Sequence, residues 1–108
     1  VENVRWLCKK IHLDQYFKNI ISGSECSNNK PHPEPYLKMM KYLNVRPERC
    51  IIIEDSILGI TSALSSGAYV IAKTGSVPIY KLSIAHHIVH HLDEITNKLL
   101  DSILSKRI

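Results

Sequence analysis

Aromatic side chains are scarce in this sequence, with one Trp, one Phe and five Tyr among 108 residues. Its core must therefore be mostly aliphatic, and Ile, Leu and Val do dominate the apolar runs. No run approaches the ~18–20 apolar residues that a spanning helix needs, and no signal-peptide pattern opens the chain. The first residue is Val1, not Met, which fits a removed initiator, a tag remnant or an excised fragment alike. The cysteines, Cys8, Cys26 and Cys50, are odd in number, unequally spaced and without a CxxC pair. Neither a zinc site nor a disulfide framework is indicated, and reduced thiols in a cytoplasmic protein are the plain reading.

A basic block is also lacking. The formal charge of +4 would suit a nucleic-acid partner. However, Lys9, Lys10, Lys18, Lys30, Lys38, Lys41, Arg46, Arg49, Lys106 and Arg107 are scattered, and no five-to-eight-residue basic run appears. Neither nucleic acid nor membrane is expected as a partner. The 44% hydrophobic and 22% charged composition argues against disorder, and the length allows one domain, residues 1–108.

What is present is alternation. Val4 to His12 places Val4, Leu7, Cys8 and Ile11 at helical spacing. Tyr16 to Ile21, closed by Ser22-Gly23, reads as a short strand and turn. After the Lys30–Glu34 segment, whose prolines preset an extended or turn conformation, Tyr36, Leu37, Met40 and Leu43 share one helical face. Ile51-Ile52-Ile53 is the clearest strand, β-branched throughout as in a parallel sheet buried on both faces. A helix from Ile57 to Ser66 stops at Gly67, and a strand follows at Tyr69–Ala72. A short helix at Pro78–Ile84, a strand at His87–Val89 and a helix at Leu92–Leu104 complete the reading. Strand–helix alternation implies an α/β fold with a mostly parallel sheet and right-handed crossovers.

Glu54 and Asp55 end the apolar strand, where open α/β sheets bind ligands. Adjacent carboxylates repel unless a cation or strong donors neutralise them, and such oxygens suit Mg²⁺. A second reading stands beside this one: Asp55 or Ser56 caps the next helix, and acidic groups favour its positive end. Lys30, between a polar loop and Pro31, presents an ammonium suited to phosphate oxygens, or is simply a solvated surface lysine. His86, His87, His90 and His91 would pair for a transition metal if helical. Ile88-Val89 reads as strand, though, which makes a partly exposed structural cluster the preferred reading. Met39-Met40 and Trp6 read as packing residues, and Thr74-Gly75-Ser76 lacks the pattern of a phosphate loop.

Lys30-Pro31-His32-Pro33-Glu34-Pro35-Tyr36 is similar to the K-P-x-P-[DE]-x-[YF] segment of haloacid-dehalogenase-like (HAD-like) enzymes. Ile52 to Ile60 resembles their x-x-E-D-S-x-x-G-[IV] segment. The likeness runs from about Val4 to Thr74 and is nearest the β-phosphoglucomutase-like and phosphoglycolate-phosphatase-like branch. It implies a Rossmann-like parallel sheet with flanking helices and a Mg²⁺-dependent phosphatase or phosphomutase acting on a small phosphate monoester. By resemblance, Lys30 would hold the transferring phosphoryl group and restrain the nucleophilic aspartate. Glu54 and Asp55 would help bind Mg²⁺, assisted by Ser56, and Gly59 would let its helix pack closely on the sheet.

The chain departs from that pattern in one large respect. The family's opening strand, ending in D-x-D-G-[TV] and carrying the nucleophile and the general acid/base, does not occur in this sequence. Asp14, Asp93 and Asp101 lack a preceding apolar strand, and there is no cap domain, the family's main source of substrate specificity. An incomplete HAD-like core, lacking the first strands and the cap, is therefore expected. In the family order two absent strands would separate Tyr16–Ile21 from Ile51–Ile53, leaving them ~14 Å apart at ~4.8 Å per neighbour. Unpaired edges invite pairing, so this chain should rearrange, exchange strands in a dimer, or need an upstream half. A non-catalytic split or decayed module that binds a phosphorylated ligand or a partner protein is the alternative function.

Overall fold

A computed structural model describes residues 2–12 and 14–107, without the side chains of residues 2–4 and 14. Its first helix, α1 (Glu2–Lys10), is followed by single 3₁₀ turns at Asp14–Tyr16 and Gly23–Glu25. Helix α2 (Glu34–Leu43) leads through a 3₁₀ turn at Pro47–Arg49 into strand β1 (Ile51–Glu54). Helix α3 (Ile57–Ser65), strand β2 (Tyr69–Lys73), strand β3 (His87–Val89) and helix α4 (Asn97–Ser105) follow. Short 3₁₀ turns at Ile79–Leu82 and Leu92–Glu94 join the last elements.

The three strands form one parallel sheet in the order β1-β2-β3. Ile51 to Glu54 pair with Tyr69 to Ala72, and Ile71 to Lys73 with His87 to Val89. Successive side chains of β2 point to opposite faces, so the central strand divides the core. Val70 and Ala72 join Ile52, Met40, Ile60, Ala63 and Leu82 on the α2–α3 side. Ile71 joins Val89 and Ile103 on the α4 side. This is the expected Rossmann-like arrangement of a parallel sheet with flanking helices.

Local chemistry explains the helix boundaries. Asn44 ends α2 in the left-handed conformation (φ 55°), a position short polar side chains tolerate. Ser56 caps α3 by accepting from the Gly59 N–H at 3.0 Å, and Thr96 caps α4 by accepting from the Leu99 N–H at 3.2 Å. Gly67, at φ +91°, turns the chain from α3 into β2 in a conformation that would strain any side chain.

Four expectations need correction. Tyr16–Ile21 is not a strand: it begins in a 3₁₀ turn and continues without regular structure, with Tyr16 71% and Phe17 55% exposed. A short apolar run becomes a strand only when a neighbour accepts its backbone hydrogen bonds. The neighbours that the family order would place beside it are not encoded in this sequence. For the same reason β1 is not buried on both faces. It is an edge strand of the described sheet, and Ile53 stands 47% exposed while Ile52 is buried.

The apolar stripe of α1 is likewise left largely uncovered at Leu7 and Ile11, with Cys8 half-buried; the side chain of Val4 lies outside the described residues. The helix expected from Leu92 is split into a 3₁₀ turn and α4, and Pro78–Ile84 holds a 3₁₀ turn only.

Ile71 is fully buried in the middle strand. Ile71→Ala should remove its packing against Val89 and Ile103 and lower unfolding free energy by about 3 kcal/mol, read from the urea midpoint at unchanged slope. A shift under about 1 kcal/mol would show that the α4 face is not a packed core.

Candidate active site at the carboxyl ends of the strands

Parallel pairing delivers Glu54 and Lys73 to the same end of the sheet, and the loops beyond them add Asp55 and Thr74 to Ser76. Glu54 is 8% exposed, and its Oε2 takes the Lys30 Nζ at 2.6 Å. The Tyr36 hydroxyl donates to the same oxygen. Lys30 also lies over the Tyr36 ring, 5.2 Å from its centroid. Burial, with the Glu54 carboxylate second, pushes the Tyr36 phenol far above its ordinary pKa, so it serves as a donor at any physiological pH.

The loop carrying Lys30 is held from several directions. Glu34 accepts from the Ser27 N–H at 2.7 Å and the Asn28 N–H at 3.1 Å. Although desolvation pushes the Glu34 carboxyl up, these donors prevail and keep it below the usual carboxylate value. Buried Ser62 donates to the His32 carbonyl at 2.7 Å, tying the loop to α3. Asn29 donates to the Gly23 carbonyl at 3.1 Å. The motif is therefore mostly scaffold: its later residues aim the first.

Gly59 has a specific task. A Cβ there would collide with the Glu54 carboxylate. Its bare backbone makes room for that group beside the first turn of α3, which is more local than the helix–sheet packing read from the sequence. The capping alternative is resolved in favour of Ser56, which leaves Asp55 available. Asp55 is exposed, and its Oδ2 accepts from the Ser76 hydroxyl at 2.6 Å.

All three expected site residues thus lie at one end of the sheet, with Lys30 and Glu54 in direct contact and Asp55 adjacent. A groove of about 460 Å³ runs past Lys30, Tyr36, Ser22 and Asn29. A hollow of about 260 Å³ is lined by Ile53, Glu54, Asp55, Lys73 and Leu92. Sequence reasoning missed Tyr36, Lys73 and Ser76 as site residues. Tyr36 stands in both the helical face and the Lys30–Tyr36 motif without either pointing to Glu54, and Ser76 touches Asp55 only because the loop after β2 crosses over the end of β1.

The histidines are used separately. The His86 ring Nδ1 accepts from the Val70 N–H at 2.9 Å, and its ring stacks on Tyr69 at 4.6 Å. His90 Nδ1 and the Thr74 hydroxyl share a hydrogen bond of 3.1 Å. Among the described residues no group of three or more His, Cys, Asp or Glu is placed to hold a metal ion. Desolvation, and secondarily Arg107, lowers the His86 pKa below its ordinary value. A base with a depressed folded pKa binds its proton more readily when unfolded. Its stabilising effect is thus present above about pH 6.5 and fades as pH falls through the lower folded value. Urea midpoints should drop between pH 7.5 and pH 5.5, and His86→Gln should flatten that part of the dependence; an unchanged profile in the variant would remove His86 as the cause.

A parallel α/β sheet flanked by helices, with Lys30 on Glu54 and Ser76 on Asp55 at the carboxyl end of β1, defines a Rossmann-like protein. Residues 2–73 match the family model described as haloacid dehalogenase-like hydrolase, and the chain belongs to that family. It is 37% identical over 90 residues, 83% of its length, to a bifunctional riboflavin kinase/FMN phosphatase of Arabidopsis thaliana. It is 39% identical over 59 residues to a phosphorylated carbohydrates phosphatase of Thermotoga maritima. Among solved structures, a HAD hydrolase of family IA, variant 3, from Entamoeba histolytica superposes with a TM-score of 0.83 at 33% identity over 96% of this chain. A β-phosphoglucomutase from Clostridium difficile gives 0.84 at 26% identity over 98%. This chain spans 49% and 46% of those two solved chains, and 22% and 27% of the Arabidopsis and Thermotoga proteins. No helix of the described residues is long and apolar enough to cross a membrane.

Proposed function

We propose that this chain forms the lysine-and-carboxylate side of a Mg²⁺-dependent phosphatase or phosphomutase site for a small phosphate monoester, with the nucleophilic aspartate supplied by polypeptide outside this sequence. The observation that carries the reading is the convergence of Lys30, Glu54 and Asp55 at the carboxyl end of β1. Phosphoryl transfer depends on positioning and on neutralising charge as it spreads over the phosphoryl oxygens. Lys30 brings a fixed cation to that centre. Glu54 and Asp55 are the hard oxygen donors that Mg²⁺ takes in ones and twos, beside water and phosphate. When bound, the ion would neutralise phosphoryl charge and orient the ester. Tyr36 and Gly59 hold Glu54 in place, and Ser76 orients Asp55.

The free edge of β1 supports the same reading. It leaves backbone donors and acceptors open beside exposed Ile53. An upstream half of the same protein, or a second copy exchanging strands, would cover it. A cytoplasmic location suits the three free cysteines.

The first experiment is hydrolysis of a generic phosphate monoester by this chain alone, with and without Mg²⁺, and then mixed with a polypeptide carrying the D-x-D-G-[TV] strand of a relative. No turnover alone and metal-dependent turnover in the mixture is expected. Turnover by the chain alone, abolished by Asp55→Asn, would show that another carboxylate attacks and would refute the divided-site account. Phosphate binding with no turnover in any mixture would instead favour the non-catalytic module.

A further inference from the structure

At the other end of the sheet the fold gathers cations that lie far apart in the chain. Arg46 and Arg49 flank the Pro47–Arg49 turn that enters β1, and Arg107 follows α4. Together with Glu48 they line a groove of about 590 Å³. Two of the guanidinium groups are fixed. Arg49 Nη1 donates to the Leu104 carbonyl at 3.2 Å. Arg107 donates from Nε to the Glu48 carbonyl at 3.2 Å and from Nη2 to the Gly67 carbonyl at 2.8 Å. A guanidinium has five N–H donors in a rigid plane, so each anchored group keeps further donors while its orientation is set. Arg46 is the freer member: its side chain is 81% exposed, with the Glu48 carboxylate at a loose 3.7 Å.

Holding the last carbonyls of α4 accounts for the Arg49–Leu104 bond. It accounts neither for Arg46 nor for three arginines lining one groove in which a single carboxylate, Glu48, pairs loosely with one of them. The chemistry of the lining narrows the ligand. No aromatic or aliphatic side chain lines the groove. Nearby Tyr69 is stacked on His86 at 4.6 Å and has Arg107 over its ring at 5.8 Å. A nucleobase seeking a stacking platform finds none. Planar guanidinium forks match phosphate oxygens, and the volume falls in the roughly 300–1,000 Å³ range of small-ligand sites.

We infer that Arg46, Arg49 and Arg107 form a second anion site, at the amino ends of the strands, that takes a small oligophosphate. Free pyrophosphate or tripolyphosphate and the phosphate tail of a nucleotide share this chemistry.

The test is calorimetric titration of this chain with tripolyphosphate in metal-free buffer at about 150 mM salt, where weak surface pairing is screened. Saturable binding is expected, weakened about tenfold by Arg46→Glu, in keeping with the loss of a charged hydrogen bond, and unchanged by Lys81→Ala, which lies outside the lining of the groove. Arg107→Ala should also weaken it, but Arg107 staples the Glu48 and Gly67 carbonyls, so its loss disturbs the fold as well as the site. Arg46 holds no such carbonyl, so its variant is decisive. ATP binding as tightly as tripolyphosphate would identify nucleotides as a source; tripolyphosphate binding alone would identify free polyphosphate. The inference is overturned if wild-type chain shows no saturable binding, if Arg46→Glu binds like wild type, or if Lys81→Ala weakens binding as much as Arg46→Glu does. Single-stranded RNA binding tighter than tripolyphosphate would overturn it in favour of a nucleic-acid surface.

Discussion

Lys30→Ala, introduced into the mixture that restores turnover, is expected to lower kcat by about 10²–10³-fold. That is the effect of removing one fixed electrostatic group from a developing charge. The fall should appear in kcat more than in KM, because a cation aimed at the phosphoryl oxygens acts most strongly as their charge redistributes. Lys30→Arg should recover little of it. The longer, planar guanidinium cannot occupy the 2.6 Å contact on Glu54 Oε2 without moving Tyr36, which donates to the same atom. Stability should fall as well, because the partner carboxylate of Glu54 is only 8% exposed and keeps Tyr36 as its remaining hydroxyl donor, so rates are compared on a variant that circular dichroism shows to be folded. A variant that keeps its rate within about twofold of wild type would remove Lys30 from the chemistry.

Gly59→Ala should destabilise the chain although it adds a single methyl to a helix. Alanine is ordinarily the better helix former by about 1 kcal/mol, so an innocuous site would gain stability. Here the added methyl meets the Glu54 carboxylate, which Lys30 and Tyr36 hold in place. Either the carboxylate leaves, breaking both contacts, or the first turn of α3 shifts and loosens the Gly59 N–H bond to Ser56. Overpacking of this kind destabilises by about 1–3 kcal/mol. We expect a net loss near 1–2 kcal/mol in urea unfolding, together with changed amide shifts at Asp55 and Tyr36. A stabilised variant with unmoved Asp55 would show that Glu54 relaxes without consequence.

Much of this was legible because it depends on near neighbours in the chain. The β-branched run at Ile51–Ile53, the cap at Ser56 and the stop at Gly67 are local preferences that no distant contact has to supply. Lys30 and the Glu54–Asp55 pair were legible for a different reason: their segments resemble two HAD-like motifs, whereas the residues alone left a surface lysine and a helix cap as equally open readings. The failures share one cause. Tyr16–Ile21 has the composition of a strand, yet strand formation depends on a partner, and composition does not say whether one is present.

The residue order of this chain therefore settles the strands at Ile51–Glu54, Tyr69–Lys73 and His87–Val89 and the helix Ile57–Ser65 between the first two, because short-range backbone and capping energies act within a few residues. Contacts that join remote segments were decided in three dimensions. Tyr36 meets Glu54 because α2 packs beside the end of β1, Ser76 meets Asp55 because β2 runs parallel to β1, and Arg46, Arg49 and Arg107 share a groove because α4 returns to the start of the sheet. No periodicity encodes such meetings; they follow from how the buried faces of β2 are covered on both sides.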